Sequence, residues 1–117
     1  MTDYKLPILM GAGSDKPFAV QCARVCRKLE INYTPRILSA HKRTDDLLQL
    51  LKEYEKDDSV LTLLGIIGRS NALTPISDFN LTKPVVVYHA TVEQFPYDIW
   101  SSLRVPSGIA HGVTIYP

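Results

Sequence analysis

The chain has 117 residues, 45% of them hydrophobic and 21% charged, with a formal net charge of +1. This length suits one domain, residues 1–117, with a substantial core. The near-neutral balance gives no electrostatic case for a nucleic-acid or anionic-membrane partner, and no apolar run approaches the ~20 residues of a membrane span. Met1-Thr2-Asp3-Tyr4-Lys5 lacks the charged and apolar regions of a secretory leader, so a cytoplasmic location is expected.

The apolar run over residues 6–10, followed by glycines, predicts a buried parallel strand. Gly11, Ala12, Gly13, Ser14 and Asp15 then form a small-residue turn. Asp15 is placed to cap the next helix, and Pro17 lies near its first position, where a missing N–H does no harm. Ala19, Val20, Cys22, Ala23, Cys26 and Leu29 recur at helical spacing, and this helix is expected to stop near Glu30. Cys22 and Cys26 lie four apart on one helical face, which disfavours a disulfide and, without further ligands, a zinc site. They are expected to be buried, reduced thiols.

Residues 32–38 alternate and carry Tyr33, Thr34, Ile37 and Leu38, predicting a second strand that Pro35 pushes towards a sheet edge. Ser39, Ala40, His41, Lys42 and Arg43 follow it. Thr44 or Asp45 is the expected cap of a second helix, whose buried side is marked by Leu47, Leu48, Leu50, Leu51 and Tyr54. Residues 60–67 are nearly continuous in apolar side chains and read as the central strand. Gly68, Arg69, Ser70 and Asn71 leave it for a short helix through Leu73 and Ile76. A fourth strand is predicted over residues 84–88, a helical turn with Trp100 and Leu103 over 98–104, and a fifth strand over 109–116.

Strands alternating with helices at this spacing predict a parallel α/β sandwich with right-handed crossovers. Three loops, residues 11–15, 39–43 and 68–71, then leave carboxyl ends of strands, the edge where such sheets bind ligands. The first offers backbone N–H groups, a hydroxyl and a carboxylate near a helix start, a set suited to a phosphate beside a sugar. It lacks both the third glycine of the dinucleotide fingerprint and the Gly-Lys-Ser/Thr of a P-loop, so a plain tight turn is the competing reading. His41 is a candidate base, and Lys42 and Arg43 are candidate phosphate partners, against a solvated loop. Arg69, Ser70 and Asn71 either cap the next helix or face a ligand. His89 and His111 show no metal-ligand spacing with each other or with His41, so no metal is expected.

Ile8-Leu9-Met10-Gly11 with Ser14-Asp15, then Ser39-Ala40-His41-Lys42, Gly68-Arg69-Ser70-Asn71 and Asp98-Ile99-Trp100-Ser101-Ser102-Leu103-Arg104-Val105-Pro106-Ser107-Gly108, span most of the chain in order. Together they resemble the phosphoribosylaminoimidazole carboxylase family of purine biosynthesis. Within it they look like the carbon-dioxide-using branch found in animal bifunctional enzymes and some bacteria. The resemblance implies a flavodoxin-like three-layer α/β/α sandwich with a five-stranded parallel sheet. It implies aminoimidazole ribonucleotide and carbon dioxide as substrates, no cofactor, and a homo-oligomer, an octamer in the family, with sites at subunit contacts. His41 matches the family's proton shuttle, Ser14 and Asp15 its phosphate and ribose positions, and Lys42 the basic residue beside the phosphate. Gly11, Ala12, Gly13, Ser39, Ala40, Gly68, Arg69, Ser70, Asn71, Ser107 and Gly108 are the other substrate-site positions that it implies.

Four features depart from the family pattern. Ala12 stands where Ser is usual, removing a hydroxyl contact to a charged group worth roughly 1.5–3 kcal/mol. Ile67 replaces an Ala beside the carbon dioxide pocket, Tyr88-His89-Ala90 replaces a proline-bearing stretch, and the sequence ends at Pro117, ahead of the family's mostly helical tail. They keep two further readings open: a diverged, non-catalytic member that binds a nucleotide or serves in assembly, and a decarboxylase of a related heterocycle. A flavin-binding domain has fold alone behind it, which is poor evidence for function.

Overall fold

A computed structural model describes residues 3–117. Its five strands are β1 (Lys5–Met10), β2 (Asn32–Ile37), β3 (Leu63–Ile67), β4 (Val85–His89) and β5 (Gly112–Thr114). They form one parallel sheet in the order β2-β1-β3-β4-β5. Apolar strands become parallel when both faces can be covered, and successive side chains of β1 supply both faces. Ile8 and Met10 enter one apolar cluster, whereas Leu9 enters the other.

Helix α1 (Lys16–Lys28) lies on the first face and packs Ala19, Cys22 and Cys26 against Ile8, Met10, Ile66 and Tyr88. Both thiols are buried and unpaired, as the helical stripe predicts. Helices α2 (Thr44–Lys56) and α3 (Leu73–Asn80) cover the other face, where Leu47, Leu50, Leu51 and Leu73 meet Leu9, Leu63, Ile67, Val85 and Val87. The result is the expected flavodoxin-like α/β arrangement, with β3 central and β2, which carries Pro35, at an edge.

The boundaries differ in instructive ways. The third strand is shorter than the apolar run, because Val60 makes an isolated bridge to Lys5 and Leu61 is half-exposed before the ladder begins at Leu63. The fifth is three residues long, with Ile115 and Tyr116 left exposed beyond it. Helix α1 ends at Lys28, and Glu30 adopts a left-handed φ of 57° so that Ile31 N–H donates to the Cys26 carbonyl at 2.8 Å. Neither expected N-cap operates. Asp15 turns its carboxylate back to its own loop, and α2 begins at Thr44 itself, whose hydroxyl donates to the Ala40 carbonyl. The predicted helical turn forms as a 3-10 turn (Pro96–Ile99) running into α4 (Trp100–Leu103), with Trp100 and Leu103 both half-exposed.

Helix α3 approaches the sheet closely enough to require a glycine beneath it. A Cβ on Gly65, in the middle of β3, would lie 2.5 Å from Thr74 Cγ2, and Thr74 is fully buried. Gly65→Ala is therefore expected to lower stability by about 1–3 kcal/mol through overpacking, read as a drop in the urea midpoint. Gly13→Ala, where a Cβ would meet nothing within 4 Å, is the control expected to stay near wild type.

Candidate active site

The three loops that leave β1, β2 and β3 meet around one cavity of about 200 Å³ at the carboxyl edge of the sheet. Gly11, Ala12, Ser14 and Asp15 line it from the first loop, Ser39, Ala40 and His41 from the second, and Gly68, Arg69 and Ser70 from the third. Ile67, Ala72 and Leu73 supply its apolar wall. Gly13, Lys42, Asn71, Ser107 and Gly108 are not among the lining residues. Gly13 opens the 3-10 turn (Gly13–Asp15) that leads into α1, and Ser107 and Gly108 lie in an exposed turn where Gly108 takes a φ of 94°.

Asp15 is the most constrained polar group of the cavity. Its Oδ2 accepts from the Ala12 N–H at 3.0 Å, whereas the nearby Gly11 N–H donates to the Ile66 carbonyl at 3.2 Å. The residue is 4% exposed, and burial raises its carboxyl above the ordinary carboxylate range despite the backbone N–H groups of Ala12 and Gly11 beside it, which pull the other way. Room for it depends on Gly68, since a Cβ there would sit 3.2 Å from Asp15 Oδ1. A carboxylate is thus held at the start of α1, folded into the loop rather than onto the helix.

The other charged groups are fixed from outside the three loops. Arg69 pairs through Nε with the Asp98 carboxylate, and its guanidinium carbon stands 3.8 Å from the centre of the Phe95 ring. Arg43 is drawn away from the cavity by Asp46, 2.8 Å from its Nε. His41 lies in an exposed turn, and Ser39 Oγ shapes that turn by accepting from Lys42 N–H at 3.3 Å.

Asn71 resolves the choice between capping and ligand binding towards capping. Its Oδ1 accepts from Thr74 N–H at 3.0 Å in the first turn of α3, and its own N–H donates to Ser101 Oγ at 2.9 Å. Its Nδ2 donates to Thr74 Oγ1 at 2.5 Å and to Ser102 Oγ at 2.7 Å. Two histidines complete this buried cluster. His89 Nε2 meets Ser102 Oγ, while His111 bridges Thr74 Oγ1 at 3.1 Å and the Ser102 carbonyl at 2.8 Å. No group of three His, Cys, Asp or Glu side chains among the described residues is placed to hold a metal.

Comparison with known proteins decides the lineage. The profile described as AIR carboxylase matches residues 5–115. The chain belongs to the AIR carboxylase family. A relative from Archaeoglobus fulgidus, phosphoribosylaminoimidazole carboxylase, is 40% identical over 107 residues, covering 91% of this chain and 58% of that protein. The Drosophila melanogaster bifunctional phosphoribosylaminoimidazole carboxylase/phosphoribosylaminoimidazole succinocarboxamide synthetase is 35% identical over 98% of this chain. This AIR carboxylase family chain spans 27% of that protein's length. The crystal structure of Treponema denticola PurE is similar with a TM-score of 0.89 at 36% identity, over 97% of this chain and 72% of that one.

The raised carboxyl of Asp15 gives a stability prediction. A folded-state value above the unfolded one favours the fold at low pH, and that advantage is lost as pH rises through the folded value. Asp15→Asn keeps an acceptor for the Ala12 N–H and removes the titration. Urea unfolding from pH 4 to 7 is expected to show the variant gaining on wild type as pH rises. A constant difference would contradict the burial account.

Proposed function

We propose that the chain carboxylates aminoimidazole ribonucleotide with carbon dioxide, as a single α/β domain of a purine-biosynthesis enzyme. The observation that carries this reading is the meeting of residues 11–15, 39–41 and 68–70 around one cavity in a chain of the AIR carboxylase family. A cavity of about 200 Å³ is smaller than the roughly 300–1,000 Å³ of most ligand pockets, so the heterocycle enters it while the ribose phosphate lies over its mouth. There the phosphate meets Ser14 Oγ and the backbone at the start of α1, with Lys42 beside it, and Asp15 accepts from the ribose.

The chemistry needs positioning and one proton transfer. An electron pair of the ring carbon forms the bond to the carbon of carbon dioxide, and one C=O pair moves onto oxygen to give the carboxylate. The ring carbon is then tetrahedral and carries its hydrogen. His41, as neutral imidazole, takes that proton, and the C–H electron pair restores the ring. Carbon dioxide has no charge to steer it, so Ile67, Ala72 and Leu73 hold it by packing, and the walls of the cavity limit water. Arg69, fixed by Asp98 and Phe95, stabilises the carboxylate as it forms.

Ser107 and Gly108, which do not line the cavity, enter this reading through assembly. They complete the site of a neighbouring subunit in a homo-oligomer, which light scattering would detect. The buried free thiols of Cys22 and Cys26 suit a reducing, cytoplasmic setting. No helix among the described residues is long and apolar enough to cross a membrane.

Steady-state turnover with aminoimidazole ribonucleotide and carbon dioxide tests the proposal. His41→Asn is expected to lower kcat by about 10²–10⁴-fold with a much smaller change in KM, because the lost group acts on a proton rather than on binding. Equal turnover in the variant would overturn the assignment. Calorimetric binding of the nucleotide by a wild-type chain that does not turn over would favour the non-catalytic reading, for which Ala12 and Ile67 supply the motive.

A further inference from the structure

The buried cluster behind the third loop has a proton count that the carboxylation chemistry does not use. The Ser102 carbonyl can only accept, so His111 Nε2 must donate to it, which assigns neutral His111 as the Nε2–H tautomer. His111 Nδ1 is then an acceptor, and the Thr74 hydroxyl fills it with its only hydrogen. Thr74 Oγ1 in turn accepts from Asn71 Nδ2, whose second hydrogen goes to Ser102 Oγ. One hydrogen remains, that of the Ser102 hydroxyl, and His89 Nε2 faces it. Every donor along the hydrogen bonds that join Ser102 Oγ, Asn71, Thr74 and His111 has an acceptor if His89 Nε2 carries no proton. If it does, Ser102 Oγ receives two donors and its own hydrogen loses its acceptor in a site where Ser102 and His89 are each 2% exposed.

We propose that His89 is a positioning residue for the cavity: as neutral imidazole it anchors Ser102 and Asn71, and so holds the loop that carries Arg69 and Ser70. The inference rests on the carboxylase reading for the consequence it has on substrate, although the latch itself does not. Its geometry is direct. Asn71 follows Arg69 and Ser70, and both its backbone N–H and its side chain are tied to α4, through Ser101 and Ser102. Ser101 Oγ also donates to the carbonyl of Asp98, the residue whose carboxylate holds Arg69. His89 is therefore one end of the frame that sets where the guanidinium sits.

The surroundings of His89 favour the neutral form. Burial, and next the neighbouring His111, push the His89 imidazole below its ordinary value, while Asp98 acts in the opposite sense. The Asp98 carboxylate is already engaged by Arg69, and the Asp78 carboxylate on α3 accepts from the Ala110 N–H beside His111. As pH falls and His89 is forced to take a proton, the Ser102 link breaks and the loop of residues 68–71 loosens.

Nitrogen-detected NMR of the wild-type protein tests this without substrate. At pH 7.5 it should show His89 as the Nδ1–H tautomer and His111 as the Nε2–H tautomer. On acidification the backbone amides of Arg69, Ser70 and Asn71 should shift with the same midpoint as the His89 ring. An Nε2–H tautomer at His89, or loop amides that stay still while His89 titrates, overturns the proposal. The kinetic arm uses His89→Gln, which keeps an acceptor near the position of Nε2 and cannot be protonated. Both proteins carry the same His41 and take the same substrate, so the ratio of wild-type KM to variant KM isolates His89. That ratio should rise at least about threefold between pH 8 and 5, with kcat ratios nearly flat, and His89→Ala should raise KM at every pH. A KM ratio independent of pH contradicts the latch. Absence of turnover with the NMR transition intact counts against the carboxylase reading alone.

Discussion

Burial of β1 between β2 and β3, on a sheet covered from both sides, is the constraint on which the site depends. Ile8 and Leu9 are fully buried on opposite faces, each contributing roughly 1.5–3 kcal/mol by leaving water. Parallel pairing on both flanks then fixes the carboxyl ends of three neighbouring strands within one edge. The loops that follow have no freedom to diverge. Glycines let them approach one another, most clearly Gly68, whose missing side chain makes room for the Asp15 carboxylate.

The second constraint is polar. A short polar loop such as 68–71 does not define its own conformation, and here α4 and its preceding turn define it. Asp98 and Phe95 fix the Arg69 side chain, Ser101 and Ser102 fix Asn71, and Thr91 Oγ1 donates to the Gly68 carbonyl. Satisfied buried networks specify a single arrangement, and their cost when broken is the cost of each orphaned group. The loop that leaves β3 towards the cavity is thus built by residues that follow β4.

Local patterns made much of this legible. The 3.6-residue stripe of α1, the apolar run of β3 and the edge position of Pro35 follow from periodicity and backbone chemistry, and the three loops follow from the ends of those elements. What local patterns hid was contact across distance. Asn71 reads equally well as a cap or a ligand-binding residue until Ser101 and Ser102, some 30 positions later, claim it. Asp15 occupies the position of a helix cap, yet the Ala12 N–H of its own loop takes its carboxylate. His89 and His111 carried no spacing signal, because serine, threonine and asparagine partners have no characteristic spacing from a histidine.

The central claim is that the three loops form one ribonucleotide carboxylation site. A crystal structure of this chain with aminoimidazole ribonucleotide bound tests it most directly. The account predicts the phosphate against residues 11–15, the ribose at Asp15, and the reacting ring carbon within about 3–3.5 Å of a nitrogen of His41. A nucleotide bound elsewhere, or a ring turned away from His41 with Ile67 filling the space beside it, would contradict it.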